Sequence, residues 1–170
     1  MIRGKVYCSY MKNLRRATRD QRGFNLIELM IVIAIIGLLI AVGGYGWSAM
    51  MKSGNETAAA QTMDKIRILQ AQYGAKNRGK FAPNFDELIK SVGMDEGFKG
   101  ERPVVNGYIY SMTVEEQSAS KPPFYSVNAD PQVSEGVSAT GSIHYYTDSA
   151  IGTIKRTDEN RPAKQDDQAL

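Results

Sequence analysis

Glu28 is the residue on which chemistry could turn. It heads an uncharged run from Leu29 to Met51, and an acidic group in such surroundings costs about 2.5–3.5 kcal/mol at mid-membrane, less near an end. An ion pair offsets much of that cost. Elsewhere the residue types exclude more than they offer. A single histidine, His144, and a single cysteine, Cys8, rule out sites built on several imidazoles or thiolates and any intramolecular disulfide framework. No G-x-S-x-G, H-E-x-x-H, P-loop or paired C-x-x-C pattern occurs, so nothing points to catalysis or to a cofactor. His144 reads as a strand residue on the solvent face. Asp130, Asp148, Asp158 and Glu159 fall in expected loops and could gather a calcium ion, but the Asp-x-Asp-x-Asp spacing of a calcium loop is missing. Tyr108, Tyr110, Tyr125, Tyr145 and Tyr146 could stack on single-stranded nucleic acid. That use also needs a basic groove, so sheet and core packing is the preferred reading.

The charge distribution explains why the basic groove is missing. The chain has 170 residues and a formal charge of +3. Residues 1–23 hold seven basic residues against Asp20, while residues 24–170 hold 14 basic and 17 acidic ones. The basicity therefore belongs to the N-terminal segment, and nucleic acid is disfavoured as a partner.

That segment precedes an apolar stretch of 22 residues from Leu26 to Trp47, which as a helix spans about 33 Å, near the thickness of a bilayer's hydrocarbon. The basic flank stays on the cytoplasmic side and residues 52–170 cross the membrane. A secretory signal cut near Ala41-Val42-Gly43, releasing a soluble protein such as a secreted enzyme, and a simple single-span anchor both fit the hydrophobicity. Neither calls for Glu28.

The run Arg22-Gly23-Phe24-Asn25-Leu26-Ile27-Glu28, continued by Leu29 to Gly37, resembles the class III signal of type IV pilins and type II pseudopilins. The resemblance implies cleavage after Gly23 by a prepilin peptidase, methylation of the new amine on Phe24, and retention of the span. It also implies an assembly role for Glu28, whose carboxylate meets the Phe24 amine of a neighbouring subunit; an intramolecular contact between the two groups is the alternative. Implied partners are further copies of the chain, the peptidase, the membrane before assembly, and an inner-membrane assembly machine driven by an ATPase. The place implied is the bacterial inner membrane, then a surface pilus or a periplasmic pseudopilus. A pseudopilin of type II secretion and a minor pilin for adhesion or DNA uptake are the alternatives within the family. The leader of 23 residues is long, and Met11 offers a second start with a leader of 13. Cys8 falls in either leader or before it, so residues 24–170 hold no cysteine, unlike the many pilins closed by a C-terminal disulfide.

Gly43, Gly44 and Gly46 follow the apolar stretch and soften the helix, each by about 1 kcal/mol relative to alanine. Unwinding of Gly37 to Gly46 on assembly and close helix packing through small residues are both open. Beyond them Ala59, Met63, Ile66, Leu69 and Tyr73 make one face of an amphipathic helix. The helix is expected from about Phe24 to Asn77, about 80 Å long, and to end at Asn77-Arg78-Gly79-Lys80. Asn84 and Glu87 predict a capping box for a second, short helix that stops at Gly93. Period-two alternation places Tyr108, Tyr110, Met112 and Val114 on one strand face and Tyr125, Val127 and Ala129 on another. It sets Ile143 and Tyr145 opposite His144 and Tyr146, with a last strand over 151–156. The expected fold class is α+β, a type IV pilin-like fold with the long N-terminal helix packed on an antiparallel sheet of three or four strands. The expected organisation is a leader 1–23, a membrane and filament-core helix 24–51, a globular head 52–156 and a polar tail 157–170.

Overall fold

The computed structural model describes residues 25–170, and in it one helix, α1, spans Leu26–Lys76. Asn25 caps it: the Ile27 N–H donates to the Asn25 side chain at 3.3 Å, and the Glu28 N–H donates to its carbonyl at 3.0 Å. The far end closes where expected. Arg78 and Gly79 take positive φ of 56° and 83°, and the Gly79 N–H returns to the Gly74 carbonyl at 2.8 Å. The chain divides into two compact units, one ending at Leu39 and one running from Ile40 to Leu170. Among the described residues the first unit is helix alone.

In the second unit, the head, α1 is followed by helix α2 (Phe85–Val92), a 3₁₀ turn (Glu96–Phe98) and six strands. These are β1 (Val104–Val105), β2 (Tyr108–Glu115), β3 (Phe124–Pro131), β4 (His144–Asp148), β5 (Lys155–Thr157) and β6 (Gln168–Ala169). The sheet order is β1-β2-β3-β4-β5-β6 with every neighbour antiparallel. The α+β architecture is the expected one, but the sheet is wider than three or four strands. Strands of two or three residues at its edges carry too little alternation to be seen in sequence. The short last strand expected over 151–156 forms as β5, which begins only at Lys155 after a turn.

Asn84 caps α2 by accepting the Glu87 N–H at 2.8 Å, and Gly93 ends it at a φ of 72°. The Glu87 carboxylate does not complete the box; it accepts from the Ser91 hydroxyl at 2.6 Å. The α1 stripe is the core: Ala59, Met63, Ile66 and Leu69 are buried, and Tyr73 packs against them. They meet Tyr108, Tyr110, Tyr125, Val127, Ala129 and Tyr145 from the sheet, with Phe85, Leu88 and Phe98 closing one side. Ring contacts stitch this layer, among them Phe81–Tyr125 at 4.7 Å and Phe98–Tyr110 at 5.1 Å.

His144 departs from expectation. It is buried, and its Nδ1–H donates to Asp130 Oδ1 at 2.6 Å across the β3–β4 ladder. The outer face of the sheet is not open to water there, because the C-terminal stretch returns across it. Asn128 Nδ2 donates to the Ala163 carbonyl at 2.9 Å, and Ala163 itself is buried. Arg161 closes that stretch on both oxygens of Asp167, at 2.8 and 2.6 Å, and also pairs with Glu159 at 2.6 Å.

The tyrosine layer makes the head sensitive to alkali. Burial pushes the Tyr110 hydroxyl up to about 12, and burial with the nearby Glu56 carboxylate does the same for Tyr145. Burial raises Tyr108 and Tyr125 as well. Unfolded tyrosine ionises near about 10, so above that pH the unfolded chain holds fewer protons than the native one and stability falls as pH rises. Stability is complete below pH of about 10 and lost as pH climbs through about 12. Loss of circular dichroism should coincide with late tyrosinate absorbance in that window. Tyrosinate formation completed at the ordinary pH, with the fold intact, would contradict the assignment.

Candidate assembly interface

The N-terminal stretch of α1 presents apolar side chains in every direction. Leu, Ile and Val fill most positions from Leu26 to Val42, and none of them is buried within the chain. Ile40 is 70% exposed and Val42 69%; Trp47, Met50 and Met51 continue the series. An uninterrupted apolar surface of this size is not tolerated by water and marks a lipid or protein interface. The same helix is long and apolar enough to cross a membrane.

Glu28 sits in the first turn of α1 and is exposed. Its charge suits the positive end of the helix dipole, and among the described residues no side chain meets its carboxylate. Gly23 and Phe24, expected to flank the cleavage point and to carry the methyl group, lie outside the described residues, as does Cys8. Gly43, Gly44 and Gly46 lie inside α1, which runs through them as helix. A side chain added at Gly37, Gly43 or Gly46 would meet nothing within 4 Å.

Side-chain anchoring of the helix to the rest of the head is well developed by Asn55 and Glu56. Asn55 Nδ2 donates to the Thr140 carbonyl at 3.0 Å. Glu56 Oε1 accepts the Ser142 N–H and hydroxyl at 2.9 and 3.0 Å, and its carbonyl accepts the Tyr145 hydroxyl at 3.1 Å. Sequence reasoning missed this latch, whose partners are 85 and more residues away. It also missed Gln70, fully buried on the apolar stripe. The Gln70 amide takes the Ala82 N–H at 2.9 Å and donates to the Ala82 carbonyl at 3.2 Å, tying the loop after α1 to the helix. An amide standing one turn after Ile66 and just before Tyr73 was the available signal.

Three of the four acidic residues considered for calcium have separate duties. Asp130 holds His144; Asp148 takes the Ala150 and Ile151 N–H groups at 2.7 and 2.8 Å and the Tyr146 hydroxyl at 2.9 Å; Glu159 holds Arg161. Among the described residues no three histidine, cysteine or carboxylate groups converge on a metal position. Tyr108, Tyr110, Tyr125 and Tyr145 are core residues, not an exposed stacking surface.

Residues 18–44 match the family model for the prokaryotic N-terminal methylation motif. Over 69 residues the chain is 42% identical to a type IV major pilin protein, PilE1, of Neisseria gonorrhoeae, covering 38% of each. Another PilE1 of that organism is 36% identical over 99 residues, which is 55% of this chain and 40% of the relative. A fimbrial protein of Neisseria meningitidis serogroup B is 46% identical over 55 residues, 32% of this chain and 29% of the relative. The chain thus covers less than half the length of each of these relatives. No solved structure matches it.

Proposed function

We propose that this chain, whose N-terminal segment is that of a type IV pilin, is a structural subunit of a pilus-like filament. The observation that carries the reading is the wholly exposed apolar helix surface with one carboxylate, Glu28, at its head. The precursor sits in the membrane through this helix with its basic flank in the cytoplasm. A prepilin peptidase cuts after Gly23 and Phe24 is methylated. The helix then leaves lipid for a bundle of like helices, helped by an inner-membrane assembly machine. Bringing the Phe24 amine of one copy against Glu28 of the next offsets two charges that would otherwise be stranded among apolar side chains. Gly43, Gly44 and Gly46 let the segment unwind at low cost, and a side chain at Gly43 or Gly46 would meet nothing within 4 Å.

The test is the N-terminus of the mature protein. Mass spectrometry should find methylated Phe24 as the first residue; a start near Gly44 would falsify the reading in favour of a secreted soluble protein. Gly23→Val should block processing, visible as a heavier form retained in the membrane, because a branched side chain replaces the glycine at the cut bond.

A further inference from the structure

The head carries a fixed projection at one end of the β2–β3 ladder and a groove at the other. The projection is the loop 132–141, which leaves β3 after Pro131, the residue paired with Tyr108 at the start of β2. Thr140 fixes its base. The Thr140 N–H donates to the Val133 carbonyl at 2.8 Å, its hydroxyl donates to the Gly107 carbonyl at 2.7 Å and accepts the Val133 N–H at 3.1 Å. Asn160 fixes its flank, accepting the Ser134 hydroxyl and donating to Glu135, both at 3.0 Å. On this ordered loop Val137 is 81% exposed, with Val133 and Glu135 beside it.

The groove, of about 490 Å³, lies where β2 ends and β3 begins, about 24 Å away along the strands. Tyr73, Phe81 and Pro83 give it an apolar floor, and Lys76, Arg78 and Lys80 stand on its rim. Glu115 and Glu116 also line it, leaving one cation in excess. Among the described residues none of the three cations is held in an ion pair. A knob and a hole at opposite ends of one subunit make a heterologous contact, and such contacts propagate as open helical filaments when rotation does not close them.

We propose that the loop 132–141 of one copy seats in this groove of another, with Val137 against Tyr73, Phe81 and Pro83 and Glu135 facing Lys76, Arg78 and Lys80. The contact rests on the filament reading above and adds to it a head-to-head seam separate from the apolar helices. A chain carrying Val137→Cys and Lys80→Cys, expressed in full, should give a ladder of disulfide-linked multimers in sheared filaments on non-reducing gels. Neither single variant should give the ladder. Filaments of normal yield without the ladder overturn the seam while leaving the subunit reading intact, as does equal cross-linking in detergent-dispersed, unassembled protein. An unmodified chain that forms no filament overturns both. Independently of cysteine, Glu135→Lys should lower filament yield at least tenfold and Lys80→Glu in the same chain should restore it; loss without restoration counts against the pairing.

Discussion

Glu28→Ala should abolish filaments while leaving cleavage after Gly23 largely intact. On the proposed reading the side chain stands five residues past Gly23, clear of the bond that the peptidase would cut. In the proposed bundle, however, removing one member of a buried ion pair would strand the other, a loss of about 3–5 kcal/mol. For the addition of each subunit that is about two to four orders of magnitude in the association constant. A filament multiplies the deficit at every step. Fibre yield after shearing, with the mass of the mature chain from the same cells, reads both halves of the result. Unchanged yield from Glu28→Ala would remove the assembly role altogether.

The second large effect is expected at Gln70. Gln70→Leu keeps the volume but leaves the Ala82 N–H and carbonyl, both now served by the amide, without partners in a fully buried place. Each stranded backbone group costs about 1–3 kcal/mol. The combined loss of about 2–6 kcal/mol is a large part of the 5–15 kcal/mol that holds an ordinary domain together. Equilibrium urea unfolding of the detergent-solubilised protein should show the midpoint falling by about 1 M or more, given typical slopes. A shift no larger than that of Gln61→Leu on the exposed face of the same helix would show that the amide is dispensable.

What the sequence disclosed, and what it hid, follows from the range of the interactions. The α1 stripe of Ala59, Met63, Ile66 and Leu69, the Asn84 cap and the Gly93 stop are local patterns, legible because neighbours three or four residues apart decide them. The long strands showed through alternation at Tyr108–Val114 and Tyr125–Ala129. His144 was misplaced because its cover comes from around Ala163, and no local rule announces that the chain will return across an outer sheet face. Gln70 and the Asn55–Glu56 latch were missed for the same reason. At the candidate interface the position of Glu28 ahead of the apolar run was visible at once, since its oddity is a matter of composition. What it would meet is not, because among the described residues no side chain reaches its carboxylate, and on the proposed reading the partner is the Phe24 amine of another copy.

The closure of the C-terminal stretch has a practical corollary. It depends on the Arg161 fork over Asp167 and the Asn128–Ala163 bond, and the one cysteine in the chain, Cys8, lies far from it in sequence. A head opened by urea therefore has no internal disulfide to re-form, and its recovery on dilution should be the same in reducing and in oxidising buffer.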